Sequence, residues 1–182
     1  MAASPFRPAS ELLVQYARYH RDKRNIVSHF IGIPLIVLGL GVLLARLPLG
    51  PVNAAWLVWA VTALWYLSRG LPALGLATVA LNALLMALAQ PLATGSMAAW
   101  LGWGLGLFAL GWLIQFVGHY WEGRKPAFVD DLVGLLIGPL FVTAEIGFNL
   151  GLRLEVKAEV EKSVGPTRLR TIGSTGSPTL SK

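Results

Sequence analysis

The sequence predicts an all-α membrane protein, a polytopic bundle of about four transmembrane helices with an N-terminal interfacial helix. Of its 182 residues, 55% are hydrophobic and only 13% are charged, whereas about a quarter of the residues of a soluble domain are charged. Between Phe30 and Gly118 the only charged residues are Arg46 and Arg69. A water-soluble core cannot bury an apolar stretch of that length, so a lipid bilayer is the expected surrounding.

The charge and cysteine content exclude several classes of function. The net charge is +6, but no basic stripe with interleaved aromatic residues is present, so no nucleic-acid partner is expected. Basic residues beside apolar spans are instead typical of cytoplasmic topology signals. The chain has no cysteine, which excludes disulfides, thiolate chemistry and Cys-ligated metals. A cleavable signal peptide is not expected, because the first apolar run follows a charged N-terminal segment.

The N-terminal segment predicts a helix that lies along the membrane surface. Ser10 is the expected N-cap, and the helix is expected to run to about Arg21. Its face with Leu12, Tyr16 and His20 is opposite a charged face, a pattern typical of interfacial helices. A charged run follows, and Asn25 is the expected cap of the next helix.

Four apolar segments have the length or composition of membrane spans, and Pro- and Gly-containing turns separate them. We expect them near residues 26–47, 54–68, 71–90 and 97–118. The second is short for a hydrocarbon core of about 30 Å. In the fourth, we expect the small residues to allow close packing on a neighbouring helix, with a groove for a lipid chain as the alternative; these residues are Gly102, Gly104 and Gly106.

A fifth apolar run, residues 132–144, is too short for a full crossing and predicts a re-entrant or interfacial segment. With four crossings the basic loop residues lie on one side and only Arg46 lies on the other, which predicts that both termini are cytoplasmic. We therefore expect one helical membrane domain over residues 1–154 and a polar tail over 155–182, in which a short frayed helix precedes a disordered end. The Ala-, Leu-, Gly- and Arg-rich composition favours a bacterial inner membrane.

The candidate chemistry rests on the three histidines of the chain and one glutamate. Glu122 follows His119 by three residues, so the two side chains share one face of a helix. His20 and His29, nine residues apart, would point to opposite sides of a continuous helix and stand about 13 Å apart along it. Ligands of one metal ion must all lie within about 2.2 Å of it. A shared site therefore requires a helix break between these two histidines.

The predicted topology brings the histidines to one membrane face. His29 opens the first span, and three further spans return the chain to the same side at His119. Ionisable groups at the edge of a membrane bundle usually mark function. A metal site is one interpretation. The alternatives are solvated interfacial histidines and a Glu122 that pairs only with Arg124 or Lys125.

Three motifs in the chain resemble those of the membrane 2-hydroxy fatty acid dioxygenase family. The first is YxxxHxxxxNxxxH followed by GIPL, at residues 16–35. The second is QFxGHxxEGxxPAF, at residues 115–128, and the third is LLIGPL, at residues 135–140. All three histidines fall within the first two motifs, and between the motifs the likeness is to hydrophobic spans in the same order.

The resemblance implies an iron(II)-dependent dioxygenase that uses O2 to shorten a 2-hydroxy fatty acid by one carbon. It implies His20, His29 and His119 as catalytic metal ligands, with Glu122 in the place of an acidic residue of the family. The side chains expected to orient these ligands are Asn25, Gln115 and Tyr16. The cations that could attract the substrate carboxylate are Arg124 and Lys125.

Two other classes of function remain open on the sequence. A metal-dependent lipid-modifying enzyme of different chemistry, a hydroxylase or a hydrolase, would use similar ligands at a membrane edge. A non-catalytic lipid-binding protein would use the histidines structurally. A transporter is disfavoured, because Asn82 is the one strongly polar side chain deep within a predicted span.

Overall fold

A computed structural model describes residues 6–126 and 133–171. Within these ranges the chain forms seven helices and one short hairpin, so the predicted helical membrane bundle is confirmed. The elements are α1 Ala9–Ala17, α2 Lys23–Ala45, β1 Pro48–Leu49, β2 Val52–Asn53, α3 Ala54–Leu67, α4 Pro72–Leu92, α5 Met97–Glu122, α6 Val133–Asn149 and α7 Leu154–Val164. The end of the second motif, residues 127–128, and the first residue of the fifth apolar run lie outside the described residues.

Helices α2 to α5 form an up-and-down bundle. Arg46, just after α2, donates from Nε to the carbonyl oxygen of Ala93, just after α4, at 2.6 Å, so these two helices end at the same side. At the opposite side, the amide of Ala9 donates to the carbonyl of Arg69, which precedes α4. Among the described helices, α2, α4 and α5 are long and apolar enough to cross a membrane. Helix α3 has 14 residues, which span about 21 Å.

Helix α1 is shorter than the sequence predicts. Its N-cap is Pro8 rather than Ser10, and it ends at Ala17 rather than near Arg21. Its apolar face packs into the core together with residues of α6 and α7. Because the helix stops early, the segment that follows it is free to turn back toward α5.

The predicted break between the first two helices is present, but its cap is different. Asp22 has an extended backbone, and its carboxylate accepts from the amide of Arg24 at 2.9 Å, so Asp22 is the N-cap of α2. Asn25 was the predicted cap. It lies instead inside the first turn of α2 and is fully buried.

The α2–α5 pair forms the most extensive helix contact of the fold, and glycines make it possible. A Cβ atom at Gly111 would lie 2.6 Å from the carbonyl oxygen of Gly32 on the other helix. Gly104 likewise contacts Leu43, as the small-residue prediction requires. The same prediction is wrong for the neighbouring Gly102 and Gly106: no atom of another described helix lies within 4 Å of a Cβ placed at either position.

Helices α6 and α7 meet at a bend of 113°. Such a pair is either a broken span or a re-entrant segment, so the re-entrant interpretation stays a prediction. Tyr66 in α3 donates its hydroxyl to the carbonyl of Leu136 at 2.9 Å, which ties α6 to the bundle.

The polar C-terminal segment begins with a short helix, α7, as predicted, but this helix packs on the core instead of fraying. Helix α7 packs on α1 and buries Val156 and Val160 in the same core. Two apolar side chains spaced four residues apart give this otherwise charged helix one buried face. The remaining tail residues lie outside the described part of the chain.

Candidate metal centre

His20 lies in the turn between α1 and α2 and is completely buried. Its ring stacks on that of Tyr16, with centroids 4.1 Å apart and planes 6° from parallel. Nδ1 lies 2.7 Å from the carbonyl oxygen of Tyr16. Burial, with the nearby His29 and His119 rings, lowers the pKa of His20 well below its ordinary value. The ring is therefore neutral at pH 7, which is the state that binds a metal.

His29 lies two turns into α2 and is also completely buried. Its Nδ1 lies 2.8 Å from the carbonyl oxygen of Asn25, one turn earlier in the helix. A carbonyl oxygen only accepts hydrogen bonds, so Nδ1 carries the proton in both His20 and His29. In the neutral rings the Nε2 atom of each is then a bare lone pair.

The two Nε2 atoms of His20 and His29 face each other at 3.0 Å. Two lone pairs at that distance repel, whereas a cation bound by both would stabilise the arrangement. Nitrogen ligands that each lie about 2.1 Å from one ion are separated by roughly 3.0 to 3.4 Å, for octahedral or tetrahedral angles. The separation therefore fits a shared metal ion.

His119 completes the cluster from near the end of α5. Its ring centroid lies 4.9 Å from that of His20 and 5.2 Å from that of His29. Its Nδ1 is buried and has no hydrogen-bond partner among the described residues. One nitrogen from each of the three rings lies within 4.8 Å of the other two. An all-imidazole donor set of this kind suits a divalent transition metal such as iron, zinc, copper or nickel.

Glu122 lies one turn after His119 and is buried beside this cluster. Its Oε2 accepts from the backbone amides of Arg21 at 2.9 Å and Asp22 at 2.7 Å, and from Nδ2 of Asn25 at 3.2 Å. The carboxylate thereby holds the turn that carries His20. Three donors occupy the Oε2 atom, and Glu122 does not belong to the group of three mutually close ligands; its role as a direct ligand stays a prediction.

The residues predicted to orient the ligands all lie at the cluster. Tyr16 and Asn25 hold two histidines through their backbone carbonyls, and the Tyr16 ring also supports His20 by stacking. Gln115 lies one turn before His119 and is 6% exposed. Its side chain packs on Gly32 of α2.

The two predicted substrate cations lie in exposed positions. Arg124 Nη1 donates to the carbonyl oxygen of Arg18 at 2.8 Å, which braces the end of α5 against the end of α1. Lys125 is exposed as well. Their predicted attraction of a substrate carboxylate stays a prediction.

The sequence did not predict that the segment after α7 forms hydrogen bonds with the turn that carries His20. Arg168 exchanges two backbone hydrogen bonds with it, donating to Arg21 at 2.8 Å and accepting from Lys23 at 2.9 Å. The amide of Arg170 donates to the Asp22 carboxylate at 2.8 Å. The side chain of Arg24, with the backbone amides of Arg170 and Arg24, lowers the pKa of Asp22 to about 2. About 145 residues separate the two segments, and no local pattern signals such a contact.

An apolar groove of about 340 Å³ starts at His119 and runs between α2, α5 and α6. Pro126 and Gly134 line it where α6 approaches the end of α5. Its volume lies within the range of small-molecule sites. The cluster is therefore buried from water and connected to an apolar space inside the bundle.

Comparisons with known proteins support the resemblance seen in the sequence. The family model described as 2-hydroxy-palmitic acid dioxygenase Mpo1-like matches residues 6–150. A relative from Saccharomyces cerevisiae, 2-hydroxy-palmitic acid dioxygenase MPO1, is 32% identical over 149 residues, which cover 80% of this chain and 83% of the relative. No solved structure gives a significant match. The chain therefore belongs to the 2-hydroxy-palmitic acid dioxygenase Mpo1-like family.

Proposed function

We propose that this protein is an iron(II)-dependent dioxygenase that shortens 2-hydroxy fatty acids by one carbon. The observation that carries the proposal is the convergence of His20, His29 and His119, from each of which one ring nitrogen lies within 4.8 Å of the other two. The yeast relative, named a 2-hydroxy-palmitic acid dioxygenase, supports the substrate class.

The three histidines would hold the metal, and their surroundings keep them ready to bind it. The carbonyls of Tyr16 and Asn25 fix the tautomers of two rings. No ligand has to lose a proton at neutral pH, and burial excludes competing water. Iron(II) bound by three protein nitrogens keeps coordination positions open and supplies oxygen activation. A 2-hydroxy acid offers a hydroxyl and a carboxylate on adjacent carbons, which suits binding at such positions.

The proposed reaction balances with one O2 per substrate. The bond between C1 and C2 breaks, and C2 becomes the carboxyl carbon of the shortened acid. If C1 leaves as carbon dioxide and one water forms, the substrate loses four electrons and O2 accepts four. The amount of O2 consumed should then equal the amount of shortened acid formed.

The proposed location is an integral position in a membrane, with both termini on the cytoplasmic side and, for a bacterial chain, in the inner membrane. The apolar helices support the membrane placement. A membrane enzyme can receive a fatty acid directly from the bilayer, which explains why the cluster lies at the end of a helical bundle.

The proposal is tested by metal content and oxygen uptake of the purified protein after anaerobic reconstitution. We expect about one iron per chain in the unmodified protein and in Tyr120→Ala, an exposed neighbour that serves as the matched control. His119→Ala should retain its fold and lose the iron. Only the iron-containing proteins should consume oxygen, and they should do so with 2-hydroxypalmitate but not with palmitate. Folded protein that binds no iron, or iron-loaded protein that consumes no oxygen with this substrate, would overturn the proposal.

A further inference from the structure

The groove that starts at His119 has one polar end and one apolar end. At the polar end, Tyr16 and Gln115 line it together with His119. The opposite end is lined by Leu40 of α2 and Phe108 of α5. Leu40 lies eleven residues from His29 on α2, and Phe108 lies eleven residues from His119 on α5. The groove therefore extends about 16 Å along this antiparallel pair of helices.

The two polar side chains at the histidine end have hydrogen-bonding capacity that no described residue uses. Tyr16 is 5% exposed and Gln115 is 6% exposed. Among the described residues, neither the Tyr16 hydroxyl nor the Gln115 amide makes a side-chain hydrogen bond. A polar group enclosed without a hydrogen-bond partner is unfavourable. Both groups line the groove, so a ligand in the groove is the available partner.

The apolar part of the groove opens between helices toward the lipid. Leu40 is 41% exposed, and Leu135 of α6, across the opening from it, is 48% exposed. A chain molecule in the bilayer could therefore enter sideways, with its polar group leading toward His119. Gly138 of α6 keeps the polar end open, because a Cβ there would lie 3.4 Å from the Tyr16 hydroxyl and 2.9 Å from Ile33.

A second apolar groove on α2 and α5 lacks these features. It is larger, about 550 Å³, and is lined by Ile31, Leu113 and Val117 among others. None of the three histidines lines it, and neither does Tyr16 or Gln115. Its polar lining residues are Lys23, Arg24 and Ser28, so it offers a ligand no histidine, tyrosine or glutamine side chain, and it serves as an internal comparison.

We propose that the groove between α2, α5 and α6 holds the acyl chain of the 2-hydroxy fatty acid, and that Tyr16 and Gln115 bind its polar head. The proposal rests on the proposed function for the choice of ligand. The Tyr16 hydroxyl and the Gln115 amide both donate hydrogen bonds, which suits the carboxylate and hydroxyl oxygens of the head. In this arrangement Tyr16 and Gln115 contact the substrate, and the exposed Arg124 and Lys125 do not.

The position of the chain is tested by photo-crosslinking with 2-hydroxypalmitic acid that carries a diazirine near its methyl end. We expect labelled peptides around Leu40 of α2 and Phe108 of α5. Labelling concentrated at Ile31 and Leu113 would overturn the proposal. Crosslinking requires binding but no turnover, so its result is separate from the iron and oxygen-uptake measurements that test the proposed function.

Two matched substitutions on α2 test the length of the groove by equilibrium binding. Leu40→Trp should weaken binding of 2-hydroxypalmitate about tenfold and leave 2-hydroxyoctanoate unaffected, because the short chain does not reach position 40. Ile31→Trp, at an exposed position of the other groove, should not change the binding of either acid. Equal effects of both substitutions, or equal effects on both acids, would overturn the assignment.

The polar end is tested with Tyr16→Phe and Gln115→Leu, each of which removes hydrogen-bonding capacity while keeping most of the volume. Each should weaken binding of both hydroxy acids by about five- to tenfold, the effect of one lost hydrogen bond. The iron content should stay at the level of the unmodified protein. Unchanged affinity at normal iron content would overturn the role of these residues, and lost iron would show that they act through the histidines instead.

Discussion

At the scale of single residues, backbone carbonyls determine the state of the cluster. The carbonyls of Tyr16 and Asn25 accept from Nδ1 of the two histidines and so leave the Nε2 atoms free to bind. The side chain of Glu122 acts on the cluster indirectly, because it accepts hydrogen bonds from the amides of the turn that carries His20. The histidines and Glu122 could be predicted from sequence spacing and topology. The sequence could not predict which nitrogen of each ring is free, because that depends on carbonyl groups that the tertiary structure positions.

Replacing Glu122 with Gln tests its contacts with the turn. Hydrogen bonds to a charged group are worth about 1.5–3 kcal/mol. We expect amide hydrogen exchange in the peptide containing Arg21 and Asp22 to accelerate about thirtyfold, measured by mass spectrometry of the metal-free protein. Glu155→Gln, at an exposed glutamate of α7, should leave that peptide unchanged. Unchanged exchange in Glu122→Gln combined with loss of iron would favour direct ligation instead.

At the scale of helices, close packing of α2 on α5 aligns two of the three histidines of the cluster. His29 and His119 lie at the same end of this antiparallel pair, and the glycines between the helices set how closely the backbones approach. The sequence predicted the spans and the role of small residues. It could not distinguish Gly104, which faces α2, from Gly102 and Gly106, which face away, because a wholly apolar helix carries no pattern that marks its buried side.

Gly111→Ala tests the close approach of α2 and α5. The new Cβ would meet a backbone carbonyl at 2.6 Å, so the helices must separate and the protein should lose about 1–3 kcal/mol of stability. Gly106→Ala on the same helix meets no described atom and should be neutral or stabilising by about 0.5–1 kcal/mol. Thermal unfolding in detergent measures both. Equal midpoints for the two variants would contradict the contact.

The C-terminal segment is a second element whose role the structure alone reveals. Residues 165–171 hydrogen-bond to the turn that carries His20, although the family match ends at residue 150. In this chain, therefore, a segment beyond the family match helps to hold a turn of the site.

Truncation after Gly165 tests the contribution of this segment. Removing it deletes the backbone bonds of Arg168 and Arg170 to the turn, so His20 should be held less firmly. We expect iron to transfer to a chelator about tenfold faster than from the full chain. Truncation after Thr171 retains every one of these bonds and serves as the control. Identical rates for the two truncations would show that the segment does not support the site.

At the scale of the whole molecule, the two ends of the bundle carry different kinds of residue. The three histidines, Glu122 and most of the basic residues lie at one end, whereas Arg46 and the β hairpin lie at the other. The positive-inside rule predicts that the histidine end faces the cytoplasm. The charge pattern of the sequence already predicted this orientation, and it stays a prediction.

Single-cysteine labelling tests the orientation without background, because the chain has no cysteine of its own. We expect a membrane-impermeant maleimide to label Arg18→Cys only in inside-out vesicles and Pro51→Cys, on the hairpin, only in right-side-out vesicles. Labelling of both variants from the same side, or the reverse pattern, would contradict the predicted orientation.

The sequence by itself determined the membrane class, the approximate spans and the three histidines, because hydrophobic length and residue type depend only on local composition. The tertiary structure decided how these residues meet. It fixed the start of α2 at Asp22 instead of Asn25, packed the polar C-terminal segment onto the His20 turn, and turned Tyr16 and Gln115 toward an apolar groove. These outcomes depend on contacts between segments as many as 150 residues apart, and no local periodicity encodes them.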